Sequence, residues 1–174
     1  MEADSARFRR QAVECPEDLS LWTKLYTVSQ IMLAAMQEDR VGPALAEICS
    51  NLLGCEQFAI VEISEPAGRV KFLQAQDLSS ELCVAVVSQA ELLQSQIRCG
   101  TPQIPSDRTD QDAANLSELE VSALVPLWSE EESSGAILLF QLLPQRSGFD
   151  TEDREVLRLL SAYAGPCLRK ETRG

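Results

Sequence analysis

Two apolar runs of strand length, Val121-Ser-Ala-Leu-Val-Pro-Leu-Trp128 and Gly135-Ala-Ile-Leu-Leu-Phe140, flank an acidic turn and lead into Phe149-Asp-Thr-Glu-Asp-Arg-Glu-Val-Leu157. Strand, turn, strand and helix start in that order predict an antiparallel hairpin, supplying the central strands of a sheet, with a helix packed on it. The turn, Ser129-Glu-Glu-Glu-Ser-Ser-Gly135, reads as a solvated surface feature, because three successive glutamates point in different directions and do not converge on a cation. Asp150 is the expected N-cap of the helix, and Glu152 and Asp153 put negative charge at the positive end of its dipole. Val156, Leu160, Tyr163 and Cys167 extend its apolar face, and Gly165-Pro166 is expected to kink or interrupt it.

Upstream, Trp22, Leu25, Ser29, Met32 and Met36 recur at alternating intervals of three and four, which lays a seam along a helix from Leu19 to Met36. Leu21, Val28, Ile31 and Leu33 widen that surface beyond one partner. Either the whole stripe is core, or part of it packs against a second copy of the chain. A second helix is expected with Asp39 as N-cap, Pro43 in its first turn, Val41, Leu45, Ile48 and Leu52 inward, and Gly54 at its end. Phe58-Ala-Ile-Val-Glu-Ile63 is apolar on both alternations except at Glu62, as in a strand covered on both faces. After a turn over Ser64-Glu-Pro-Ala-Gly68, Val70-Lys-Phe-Leu-Gln-Ala75 reads as its antiparallel partner. A middle helix follows, with Leu82, Val86, Leu93 and Ile97 on one side and a stop near Gly100; residues 101–117, rich in Asp and Pro, read as one long irregular loop.

Composition narrows the chemistry. The formal net charge is −12 over 174 residues, which argues against nucleic acid and anionic membrane surfaces, since both select clustered cations. No stretch approaches the ~18 consecutive apolar residues of a spanning helix, so the expected location is the cytoplasm. Histidine is absent, and with it the usual proton shuttle, the commonest metal ligand and the base of serine and cysteine triads. The six cysteines (15, 49, 55, 83, 99 and 167) have no metal-ligand spacing, and no metal is expected. They read as buried reduced thiols, with Cys99 set apart by the adjacent Arg98.

The run from Leu19 to Leu168, with two leading helices, an antiparallel sheet, a middle helix, a Pro-containing loop, the Val-Pro-Leu strand and a closing helix that begins Phe-Asp-x-Glu-Asp, resembles a GAF domain. The segment Arg98-Cys-Gly-Thr-Pro-Gln-Ile-Pro-Ser-Asp107 is similar to the loop that in this family leads into the pocket wall. The resemblance implies an α+β fold, an α/β/α sandwich. Its sheet carries the N- and C-terminal helices on one face and the middle helix plus loop on the other. It divides the chain into an extension, 1–18, a domain, 19–170, and a tail, 171–174. It also places Phe72, Leu82, Val86, Ile104, Leu124 and Pro126 as candidates for a ligand pocket, each of which core packing would explain equally.

Specialised members of the family attach a bilin through a cysteine followed by histidine, hold haem through histidine, or carry Asn-Lys-x-x-Phe for cyclic nucleotides. None of these patterns is present, so all three cofactors are argued against. A methionine sulfoxide reductase branch needs a cysteine where this chain has Asn115-Leu-Ser-Glu-Leu-Glu120, leaving Cys83 and Cys99 as redox candidates. The resemblance therefore implies a non-catalytic regulatory module that senses an unidentified small molecule or docks a protein. Its output passes to a separate signalling protein through a helix-mediated homodimer, with Trp22, Leu25, Ser29, Met32, Met36, Leu160 and Tyr163 as interface candidates. The alternatives are a degenerate scaffold that binds only protein and a thiol-based redox sensor.

Overall fold

The computed structural model describes residues 16–64, 68–127 and 133–173. Expectations for residues 1–15, for the turn at 65–67, for Trp128 and the acidic tip at 129–132, for the Cys167 side chain and for the end of the tail fall outside the described residues. Strands β1 (Cys55–Ser64), β2 (Arg69–Gln76), β3 (Ala123–Leu127) and β4 (Ser133–Leu142) form one sheet in the order β2-β1-β4-β3. Every pairing is antiparallel. The helices are α1 (Pro16–Gln37), α2 (Val41–Glu47), α3 (Ser80–Ser88), α4 (Ala90–Arg98), α5 (Gln111–Glu118) and α6 (Thr151–Arg173).

The sheet is covered on both sides, which is what apolar residues at every position of a strand require. Phe58 and Ile60 of β1, Ile137 and Leu139 of β4 and Val125 of β3 are buried with Val28, Leu45, Ile48, Val156, Leu160 and Ala164, so the terminal helices form one layer. Ala59, Val61, Ile63, Leu124 and Leu138 are buried against Val86, Leu93, Ile97 and Leu116 of the middle helices. The fold is a GAF-like α/β/α sandwich.

Several local expectations are corrected. The hairpin supplies one central strand and one edge, because β1 enters the sheet between β2 and β4. Leu124 exchanges both backbone hydrogen bonds with Gln103 on the outer side of β3. Pro126, two residues on, thus turns its missing donor outward, where no ladder bond is lost. Its carbonyl accepts from Ser161 Oγ of α6 at 2.9 Å. The middle helix is two helices broken at Gln89. The supposed long loop contains a 3₁₀ turn (Pro105–Asp107) and α5, which Asp110 caps by accepting from the Ala113 N–H at 2.8 Å.

Asp39 does not cap α2; it sits at φ 52°, Arg40 holds the cap position, and no side chain bonds there. Gly54 ends the segment as expected, after a π turn at Ile48–Leu52, with φ +63°. A Cβ at Gly54 would stand 2.7 Å from Arg146 Cδ, so the position needs glycine for space as well as for conformation. Gly165-Pro166 does not interrupt α6, which runs through Pro166.

Asp150 caps α6, and the cap is reciprocal. Asp153 N–H donates to Asp150 Oδ1 at 2.8 Å, and Asp150 N–H donates to Asp153 Oδ2 at 3.1 Å. The fully buried Asp153 carboxylate also accepts from Lys24 Nζ of α1 at 2.5 Å and from Arg146. Arg146 in turn donates to the Leu53 carbonyl at 2.8 Å, just before β1. Replacing Asp153 with Ala leaves Lys24 without its carboxylate and Arg146 with only Asp150 and the Leu53 carbonyl, and we expect a loss of ~3–5 kcal/mol in urea unfolding. A loss below ~1 kcal/mol, the size of an exposed pair, would show that the buried carboxylate does not organise this layer.

Candidate functional site

The proposed interface residues divide into two sets. Met32 and Leu160 are buried in the terminal layer and Leu25 is half-buried, whereas Trp22, Ser29, Met36 and Tyr163 face outward. Tyr163 leaves the expected apolar face of α6, whose buried line is Val156, Leu160 and Ala164. The buried side of α1 is Val28, Met32 and Ala35. Its outer side carries a second stripe that the seam understates: Leu19, Trp22, Tyr26, Leu33 and Met36, of which Trp22 is 67% and Tyr26 66% exposed. Together with Ser29 these positions again alternate by three and four, so one helix presents two apolar faces.

A groove of about 340 Å³ runs between the C-terminal half of α1 and α6, lined by Met32, Leu33, Met36, Leu159, Leu160 and Tyr163 with Ser29, Gln30 and Ala164. It is continuous with the exposed stripe through Leu33 and Met36. From Leu19 to Gln37 the only charged residue is Lys24, and its ammonium is taken up by Asp153. In a chain of net charge −12, this stretch of α1 carries no unpaired charge.

Four of the six pocket candidates share the second layer. Val86 and Leu124 are fully buried in the second layer, and Phe72 and Leu82 are half-buried against it. Pro126 is buried beside Leu124 on β3, while Ile104 packs with the terminal layer on the other side of the sheet. Over this face Val86, Leu93, Ile97, Leu116 and Leu138 are each at zero exposure.

At the margin of that layer lies a polar cluster that the sequence did not signal. Gln96, 2% exposed, donates to Asp112 at 2.7 Å and accepts from Arg108 at 3.2 Å. Arg108 also reaches Gln103 Oε1 and Asp110. The Ala113 N–H first, then Arg108, holds the Asp110 carboxyl below its usual range, and Arg154 does the same for Asp107. Each group is satisfied within the cluster, which makes it a strut for the 101–117 segment.

The two redox candidates lie on different segments. Cys83 is half-buried on α3, and Cys99 is exposed after α4, its thiol 3.6 Å from the Ser95 carbonyl. Cys49 and Cys55 are buried, and desolvation raises both thiols, Cys55 to about 12. Among the described residues no group of three His, Cys, Asp or Glu is placed to hold a metal, and no helix is long and apolar enough to cross a membrane.

No protein-family model matches the sequence, and no curated protein is significantly similar to it. Among solved structures, the chain is similar to a GAF domain/HD domain protein from Geobacter sulfurreducens. The two are 14% identical, with a TM-score of 0.53, over 78% of this chain and 94% of that one. At that identity the likeness speaks for the fold, and the fold it speaks for is GAF-like.

Proposed function

We propose that the chain is a non-catalytic regulatory module that works by docking protein on its terminal-helix face, with a second copy of itself as the first occupant and a separate signalling protein as the output. The observation that carries this reading is the exposed stripe on α1, continuous with the apolar groove against α6. Leu19, Trp22, Tyr26, Leu33, Met36 and Tyr163 together present on the order of 700 Å² of surface, near the ~800 Å² that each partner contributes to a standard interface. The lack of unpaired charge from Leu19 to Gln37 supports a self-partner, because two chains of net charge −12 repel one another and contact there adds no close like-charge pair. The intervals of three and four suit helix against helix, the geometry of knobs entering holes.

Small-molecule sensing is the weaker form of the reading, since the candidate residues for a pocket are packed against their own neighbours. In sedimentation equilibrium the wild-type chain is expected to be dimeric in the micromolar range and Trp22→Glu monomeric. The melting temperature should barely change, because an exposed substitution costs within ~0.5 kcal/mol. A monomeric wild type, or a variant that still dimerises, would remove the interface. In thermal-shift measurements with nucleotides, amino acids and small metabolites, no saturable rise in melting temperature is expected; one that saturates would favour the sensor.

A further inference from the structure

The first helix is attached to the domain unevenly. From Val28 onward its inner side is buried, but no residue from Leu19 to Thr27 is; Leu21 and Leu25 are only half-buried. Among the described residues, the one side-chain bond from this half to another element is Lys24 Nζ to Asp153. Hydroxyls soften the same stretch from within, since Thr23, Thr27 and Ser29 each donate to the carbonyl four residues back, at 2.8, 2.9 and 2.8 Å. Such back-bonding weakens and bends helices.

We propose that the Lys24–Asp153 pair is a latch. When it opens, residues 19–27 leave the domain as a unit, carrying Trp22 and Tyr26 with them, while the rest of α1, the sheet and α6 stay folded. The arrangement of charges makes this opening local. Once Lys24 withdraws, Asp153 keeps Arg146 and the Asp150 N–H, so no buried charge is orphaned. Arg146 cannot withdraw in the same way, because Asp153, Asp150 and the Leu53 carbonyl all hold it, and its side chain fills the space over Gly54. The cation on the helix is thus the movable one and the cation on the loop is fixed. Because Trp22 and Tyr26 lie on the moving half, the latch sets the shape of the docking face, and an occupant that prefers one position shifts the population toward it.

This deepens the docking proposal and rests on it for its regulatory meaning, but opening is measured separately from association. Hydrogen exchange of the intact protein, followed by peptide at concentrations too low for self-association, compares the wild type with Lys24→Met, which keeps the stem and removes the ammonium. Exchange over 19–27 is expected to accelerate about tenfold or more, with 28–37, β1, β4 and the first turns of α6 unchanged. Unchanged exchange over 19–27, a uniform acceleration of the whole domain, or a variant that does not fold would each overturn the latch. All three outcomes leave the sedimentation test of docking intact.

Discussion

One carboxylate, that of Asp153, decides how the terminal layer is assembled. It is fully buried, accepts from two cations and one backbone N–H, and belongs to the first turn of α6, where the helix dipole also favours negative charge. Through Arg146 it reaches the carbonyl of Leu53, the last residue before the glycine that turns the chain into β1. Through Lys24 it reaches α1. Three segments far apart in sequence therefore meet at one group, beside the apolar cluster of the terminal layer.

The sheet answers a different constraint. Its edges must not recruit another strand, and each is managed by its own device. On β2, Leu73 bulges out of register between partners Gln74 and Phe72, and the exposed Arg69 and Lys71 add charge along the rim. On β3, Gln103 occupies the outer side at Leu124, and Pro126 offers no donor. Both edges are thus blunted and both faces covered, which leaves the helices as the outer surface. There α1 carries the unusual pair of apolar faces, one spent on the core and one left outside.

The sequence told much of this, and its failures have physical causes. The strands, Gly54, Asp150 and the two-sided burial of β1 were legible because each follows from a local rule of periodicity or capping. The position of β3 at an edge was not, because strand order is decided by pairing across the chain, although Pro126 was a hint that it could not be central. The cap at Asp39 failed because the residue adopts a positive φ in the turn that joins α1 to α2. The spacing on α1 implies more than one partner but not which residue meets which: Leu25 and Met32 turn in while Trp22 and Met36 turn out, a division that depends on where α6 lies. Nothing in the spacing of Lys24 and Asp153 announces their meeting, since charged residues 129 positions apart carry no periodic signal.

A helix with two apolar faces is stable in a dilute monomer only at the cost of wet aromatic surface, which a second copy covers in the proposed dimer. Trp22 reports on this directly. The chain has two tryptophans, so Trp128→Phe leaves Trp22 as the sole indole emitter. Its emission should move to shorter wavelength as concentration rises through the association range, as an indole passing from water to an apolar contact does. Emission that stays at the solvent-exposed wavelength while the chain associates would place the contact elsewhere and contradict the account.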